Sequence, residues 1–311
     1  MSSYFDNKPV FMEPQVNQYS SHMVMTNVSQ ESKTKIVNID TKFRDDFNYD
    51  TACNLADYAI SLPEPINNVC SMSVENLELP LSYYNVSSAL GNNCFKLTKL
   101  STPPVQTIIT VPDGEYTVSS LETKLTSLLS STYVNITLTG YDTTHMVNNS
   151  NPSEDYLIEF AVNKDGTFDK HNFKSKLGWM LGFTELSYTI PQFSSGQEIV
   201  AERLCTISRP RVLYLQLDDF AQTKQNSFST MMARSRNSDN IIAKIMVDRN
   251  ENDFRKIFFA NKANGYLLSD KREYSGKTNI NRLQIQLVDE FDQKIDLNGL
   301  DFSFSLRIEH L

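Results

Sequence analysis

The chain has 311 residues, enough to bury a full hydrophobic core as one large domain with appendages. Its 37 acidic and 29 basic side chains leave a net charge of −8, which argues against a general nucleic-acid binder, whose affinity needs a basic surface. With 18 Phe and 14 Tyr but only 10 Gly, the composition speaks against a glycine-lined cofactor cradle and for strands joined by Asn-, Asp- and Ser-rich loops.

Residues 1–33 are polar and carry no sustained hydrophobic period. Isolated large side chains, Tyr4, Phe5, Phe11, Met12, Tyr19, Met23 and Met25, are scattered through them. This pattern predicts an extended arm that orders when those anchors dock on a neighbouring subunit. The N-terminus lacks a charged-then-apolar signal, and no run approaches the ~18 apolar residues of a membrane span. A cytosolic protein is expected, with the Asn-x-Ser/Thr triplets at Asn27, Asn85, Asn135 and Asn148 unglycosylated and the four dispersed cysteines (Cys53, Cys70, Cys94, Cys205) reduced.

From residue 34 to 311 the pattern is that of strands. Lys35–Asp40 opens the domain, followed by a polar connector over 41–54. Tyr58–Leu62 reads as a short strand closed by Pro63 and Pro65. Val69–Leu79 is a longer one whose apolar parity slips between Val74 and Leu77, the signature of a bulge, before Pro80 ends it. Cys94–Leu97 and Val105–Val111 continue the series.

After an Asp113-Gly114 turn the period changes. Ser119 and Glu122 have capping-box spacing, and Leu121, Leu125, Leu128 and Leu129 fall on one helical face. Strands return at 133–139 and at 156–162, with a polar loop over 141–155. Lys176–Phe183 predicts a short helix ended by a left-handed Gly182, with Trp179 plugging one end of the sandwich; a sugar-stacking role for this tryptophan is the alternative.

Arg211–Asp219 alternates cleanly, 239–247 is a further strand, and Lys271–Thr278 reads as a charged loop. Leu283, Ile285 and Leu287, then Phe302, Phe304, Leu306 and Ile308, alternate with polar residues. The Asn298-Gly299 turn between them suggests an antiparallel pair. Eight to ten strands with one clear helix and one short one predict an all-β single jelly roll of two antiparallel sheets, with short helical insertions.

No catalytic constellation emerges. The four histidines, His22, His145, His171 and His310, lie apart without metal-ligand spacing, and there is neither a phosphate loop nor a nucleophile elbow. Asp218-Asp219 could mark paired carboxylates or a calcium corner, but adjacent strand residues point to opposite faces, so a solvated strand end is expected. Arg203, Arg209, Arg211, Arg234 and Arg236 form a mild basic cluster suited to pairing between subunits. The expectation is no enzyme, no cofactor and no metal.

Several stretches together carry a resemblance. They are Lys35–Asp45, Asn67–Pro80 with Tyr83-Tyr84-Asn85-Val86, Val111–Thr117, Lys176–Phe183, Leu283–Glu290, Asp296–Gly299 and Asp301–Ser303. In order and content this set, spanning about residues 35–309, resembles the penton and related single-jelly-roll minor capsid proteins of nucleocytoplasmic large DNA viruses. The resemblance implies a homopentamer at the icosahedral vertices, contacts with neighbouring major capsid capsomers and minor capsid proteins, no direct nucleic-acid contact, and a place in the virion capsid after assembly in the host cytoplasm. It brings no catalytic residue with it. A minor capsid protein between capsomers and a jelly-roll carbohydrate-binding module are the alternatives.

Overall fold

The structure is a computed structural model. It describes residues 32–45, 56–138, 143–148, 154–208, 210–225, 228–230, 240–248 and 253–311, and the backbone of four two-residue strands before them. Those four are β1 (Val10–Phe11), β2 (Gln15–Val16), β3 (His22–Met23) and β4 (Thr26–Asn27). The chain then forms β5 (Lys33–Asp40), β6 (Asp57–Pro80), β7 (Cys94–Lys99), β8 (Val105–Thr110), α1 (Val118–Leu129), β9 (Val134–Leu138), β10 (Thr144–Asn148), β11 (Tyr156–Glu159) and α2 (Leu177–Leu181). It continues through β12 (Ser187–Ile190), β13 (Ile199–Val200), β14 (Val212–Asp218), β15 (Lys224–Gln225), β16 (Ile241–Met246), β17 (Ile257–Asn261), β18 (Leu267–Ser269), β19 (Arg272–Val288) and β20 (Ser303–His310). The protein is an all-β jelly-roll sandwich of antiparallel sheets with few helices.

The principal sheet has nine strands, in the order β18-β16-β14-β19-β6-β20-β5, with β15 added to β19 and β17 to β6. It curls on itself: the Val74 amide donates to Ser269 Oγ (3.0 Å), and that hydroxyl donates to Ile242 O (3.1 Å), drawing β18 back onto β6. Inside the curl lies a core built by strict alternation. Leu213, Leu215 and Leu217 of β14 point inward with Leu283, Ile285 and Leu287 of β19 and Phe304, Leu306 and Ile308 of β20.

The two C-terminal strands do not pair with each other, as their short connection suggested. β6 lies between them, antiparallel to both, so β19 and β20 run in the same direction. A tight turn at Asn298-Gly299 exists, with positive φ at both residues, but it belongs to the crossover rather than to a hairpin.

β6 is one strand of 24 residues, not two separated by prolines. Its pairing with β19 runs from Arg282↔Ser61 straight to Ile280↔Ile66, so Leu62–Pro65 are pushed out of the ladder. Pro63 and Pro65 sit there at no cost, because no ladder N–H is needed. The expected parity slip is real. Against β20, Leu306↔Val74 is followed by Ser305↔Asn76, leaving Glu75 unpaired, and Cys70 is skipped in the same way between Val69 and Ser71. These bulges allow Val69, Met72, Val74, Leu77 and Leu79 all to face the core.

A second core is formed by residues between Val86 and Ile207. There α1 packs Leu121, Leu125 and Leu129 with the four-stranded sheet β12-β11-β7-β8 and the three-stranded sheet β13-β10-β9. The α1 cap sits earlier than expected. Thr117 Oγ1 accepts from the Ser120 amide (3.2 Å) and Ser120 Oγ accepts from the Thr117 amide (2.8 Å), while Glu122 instead accepts from the Leu138 amide (3.2 Å). α2 ends as expected, with Gly182 left-handed at φ 100°.

Two segments expected as loops are strands. β10 lies within 141–155, hidden because its inward residues include Thr144 and Asn148; Thr144 Oγ1 donates to Leu181 O (2.6 Å) and Asn148 Nδ2 to Glu154 O (3.1 Å). β19 begins inside the supposed charged loop 271–278, with Arg272 turned inward and Glu273 and Lys277 outward.

Candidate interaction surfaces

Among the described residues, the histidines and cysteines singled out for chemistry do not converge. His145 Nδ1 faces Glu198 Oε2 at 3.2 Å, His171 is exposed on the segment before α2, and His310 ends β20. Among the described residues, no three His, Cys, Asp or Glu side chains come close enough to hold a metal ion. Cys70 and Cys94 are free thiols, and burial pushes the Cys94 thiol up; Cys205 is buried at the second core, and Cys53 lies outside the described residues.

Asp218 and Asp219 depart from the expected solvated strand end. Both carboxylates approach the Lys224 ammonium, Asp218 at 2.9 Å and Asp219 at 3.9 Å, and the Asp219 side chain is fully buried. Its Oδ2 accepts from the buried Arg272 guanidinium (3.0 Å) and from the Tyr274 hydroxyl (2.5 Å), and its Oδ1 from the Ala221 amide (2.9 Å). Arg272 also donates to Leu217 O (2.7 Å) and Asn240 O (2.9 Å). Burial, reinforced by the Asp219 charge, drives the Tyr274 phenol far upward, so it stays a donor. Asp218 takes the Lys224 ammonium at 2.9 Å. The cluster stitches the ends of β14, β15 and β19 to the entry of β16: it is a fastening, with every carboxylate engaged.

Trp179 is half-buried and packs against the second core. The Arg203 guanidinium lies 4.2 Å from its ring centroid, Lys174 Nζ approaches at 5.5 Å, and Phe173 packs edge-on at 5.8 Å. A ring covered this way has little face left for a sugar to stack on. Arg203 is thus committed to Trp179, and Arg211 is exposed. Arg209, Arg234 and Arg236, which would complete the basic cluster, lie outside the described residues. So do the arm anchors Tyr4, Phe5, Met12, Tyr19 and Met25. Phe11 and Met23 are placed only by backbone pairing, Phe11 opposite Thr26 and Met23 opposite Gln15.

What sequence reasoning missed is an outward apolar surface. β17 reads Ile257-Phe258-Phe259-Ala260, apolar on both parities, a pattern that implies cover on both faces. Among the described residues only one face is covered. Phe258 and Ala260 enter the main core, while Ile257 and Phe259 remain 59% and 57% exposed, joined by Leu268 of the adjoining β18 at 53%. On the second unit, edge strand β8 exposes Val105 and Ile108 near the loop that carries exposed Phe168. A third apolar surface is a groove of about 370 Å³ between β5 and the Leu62–Ile66 bulge. No described helix is long and apolar enough to cross a membrane.

Set beside known proteins, residues 23–285 match a family model described as "Family of unknown function (DUF5901)". No curated protein matches the sequence. Among solved structures, the chain is similar to the selenomethionine-labelled mavirus penton protein, with 10% sequence identity, 91% of this chain and 100% of that chain covered, and a TM-score of 0.42.

Proposed function

We propose, from the premise that this chain belongs to the family of unknown function DUF5901, that it is a non-enzymatic structural subunit of a virion capsid, the vertex (penton) protein of a large icosahedral double-stranded DNA virus, assembled as a homopentamer in the host cytoplasm. The observation that carries the reading is β17, a strand apolar on both faces with one face left outside the fold. Monomers rarely leave such surfaces bare. A closed ring needs two complementary patches on different sides of each subunit, and the β17–β18 face and the β8 edge lie on separate units of the sandwich. The ordered stretches from Lys35 to Ser303 that resemble penton and minor capsid proteins supply the viral context. Neighbouring major capsid capsomers and minor capsid proteins would be the outer partners, met by the loops and the N-terminal arm.

The proposal is tested on Phe259→Glu. The side chain is more than half exposed, so the folded monomer should keep its melting temperature while sedimentation loses the assembled species. An unchanged assembly would remove β17 from the interface and with it the main support for the reading. A minor capsid protein between capsomers uses the same sandwich, and imaging of the particle at its vertices distinguishes the two.

A further inference from the structure

The β5–β6 groove and the N-terminal ribbon fit one another. The groove is lined by Lys35, Ile36, Val37 and Asn38 on one side and by Leu62, Pro63, Glu64 and Ile66 on the other. Four consecutive β5 residues line it, so it runs along the strand's edge rather than over one face. That edge is open. β5 is the last strand of the principal sheet and among the described residues pairs only with β20, so alternate residues between Lys33 and Asp40 direct their main-chain donors and acceptors away from the sheet. The walls are apolar, with Ile36 55% exposed and Val37 and Leu62 half-buried. Opposite β5, Pro63 and Pro65 have no N–H to offer, so the bulge is the poorer ladder partner of the two walls and the regular edge of β5 the better one.

The ribbon is the complementary piece. Val10↔Asn27 and Phe11↔Thr26, then Gln15↔Met23 and Val16↔His22, are two short antiparallel pairings, one nested in sequence inside the other. Among the described residues the ribbon pairs with no other strand, its own β5 included. A lone two-stranded hairpin is marginal in water and needs a surface to complete it. Between Val10 and Val28 its only formal charge is Glu13, while β5 presents exposed Lys33 and Lys35.

We propose that this groove receives the N-terminal ribbon of a second copy of the chain, added in strand register to the free edge of β5, so that the principal sheet continues from one subunit into the next. The proposal rests on the reading of the chain as a self-assembling subunit and specifies one of its joints.

Hydrogen exchange on the full chain, below and above its association concentration, with native mass spectrometry at the same concentrations, tests it. On association, alternate amides of Lys33–Asp40 should slow by about tenfold or more, together with amides of the Val10–Asn27 ribbon. Ile36→Asp, at an exposed position, should abolish that slowing without shifting the melt. Assembly with β5 exchange unchanged, slowing already complete in the dilute monomer, or slowing that survives Ile36→Asp would each overturn the joint while leaving the assembly reading intact. A chain that stays monomeric throughout would remove both.

Discussion

Asp219 shows how a single carboxylate is made safe in an apolar interior. Its oxygens are taken by Arg272, Tyr274 and the Ala221 amide, and none of its side chain reaches solvent. Truncating one member of such a pair leaves the other buried and uncompensated, so Asp219→Ala should cost about 3–5 kcal/mol in denaturant unfolding. A loss well under 1 kcal/mol would mean that the cluster is solvated after all. Asp57 is set differently. Burial pushes its carboxyl up, but the Lys294 ammonium and the Gln286 and Gln284 amides outweigh this and hold it below the ordinary range. A depressed folded value contributes stability that is complete above the unfolded value, near pH 4, and is lost as the pH falls further. Asp57→Asn should therefore make the melting temperature less steep below about pH 4 than in the parent chain, and an identical acid limb would contradict the assignment.

Elements were legible where their period was simple. The alternation in β14, β19 and β20 identified the inward residues correctly, and Gly182 was recognised as the left-handed end of α2. Gly182→Ala tests that cap. A Cβ there would sit 2.1 Å from the Arg203 carbonyl oxygen on top of the positive φ, so the substitution should lower stability by about 1–3 kcal/mol or more, and a neutral melt would contradict the packing. What stayed hidden had local physical causes. β10 turns hydrogen-bonded Thr144 and Asn148 inward, so its pattern looks polar. The start of β19 buries an arginine, which reads as a loop. β6 swallows two prolines in a bulge that the sequence alone presents as a stop. Asp219 was misjudged for a related reason: its partners Arg272 and Tyr274 lie more than fifty residues away, and no local spacing announces them. The order β19-β6-β20 was equally invisible, because neighbouring strands in sequence are not always neighbours in a sheet.

At the scale of the whole molecule, one curled sheet encloses the main core and a second unit between Val86 and Ile207 carries its own. The chain's entry into that unit is fixed by Asn85, whose side-chain amide donates to Tyr116 O (2.8 Å) and Ile207 O (3.1 Å) and whose main-chain carbonyl accepts from Asn92 Nδ2 (2.8 Å). Within the second unit the buried Lys176 donates to Gly91 O (3.1 Å) and Asn163 Oδ1 (2.8 Å). Apolar surface is left outside, on β17, on the β8 edge and along β5. Surfaces of that kind make sense when copies of the chain cover one another. Native mass spectrometry of the purified full chain measures this directly. The account predicts a discrete species of five chains that dissociates in Phe259→Glu; a monomer at every concentration, with Ile257, Phe259 and Leu268 left bare, would contradict it.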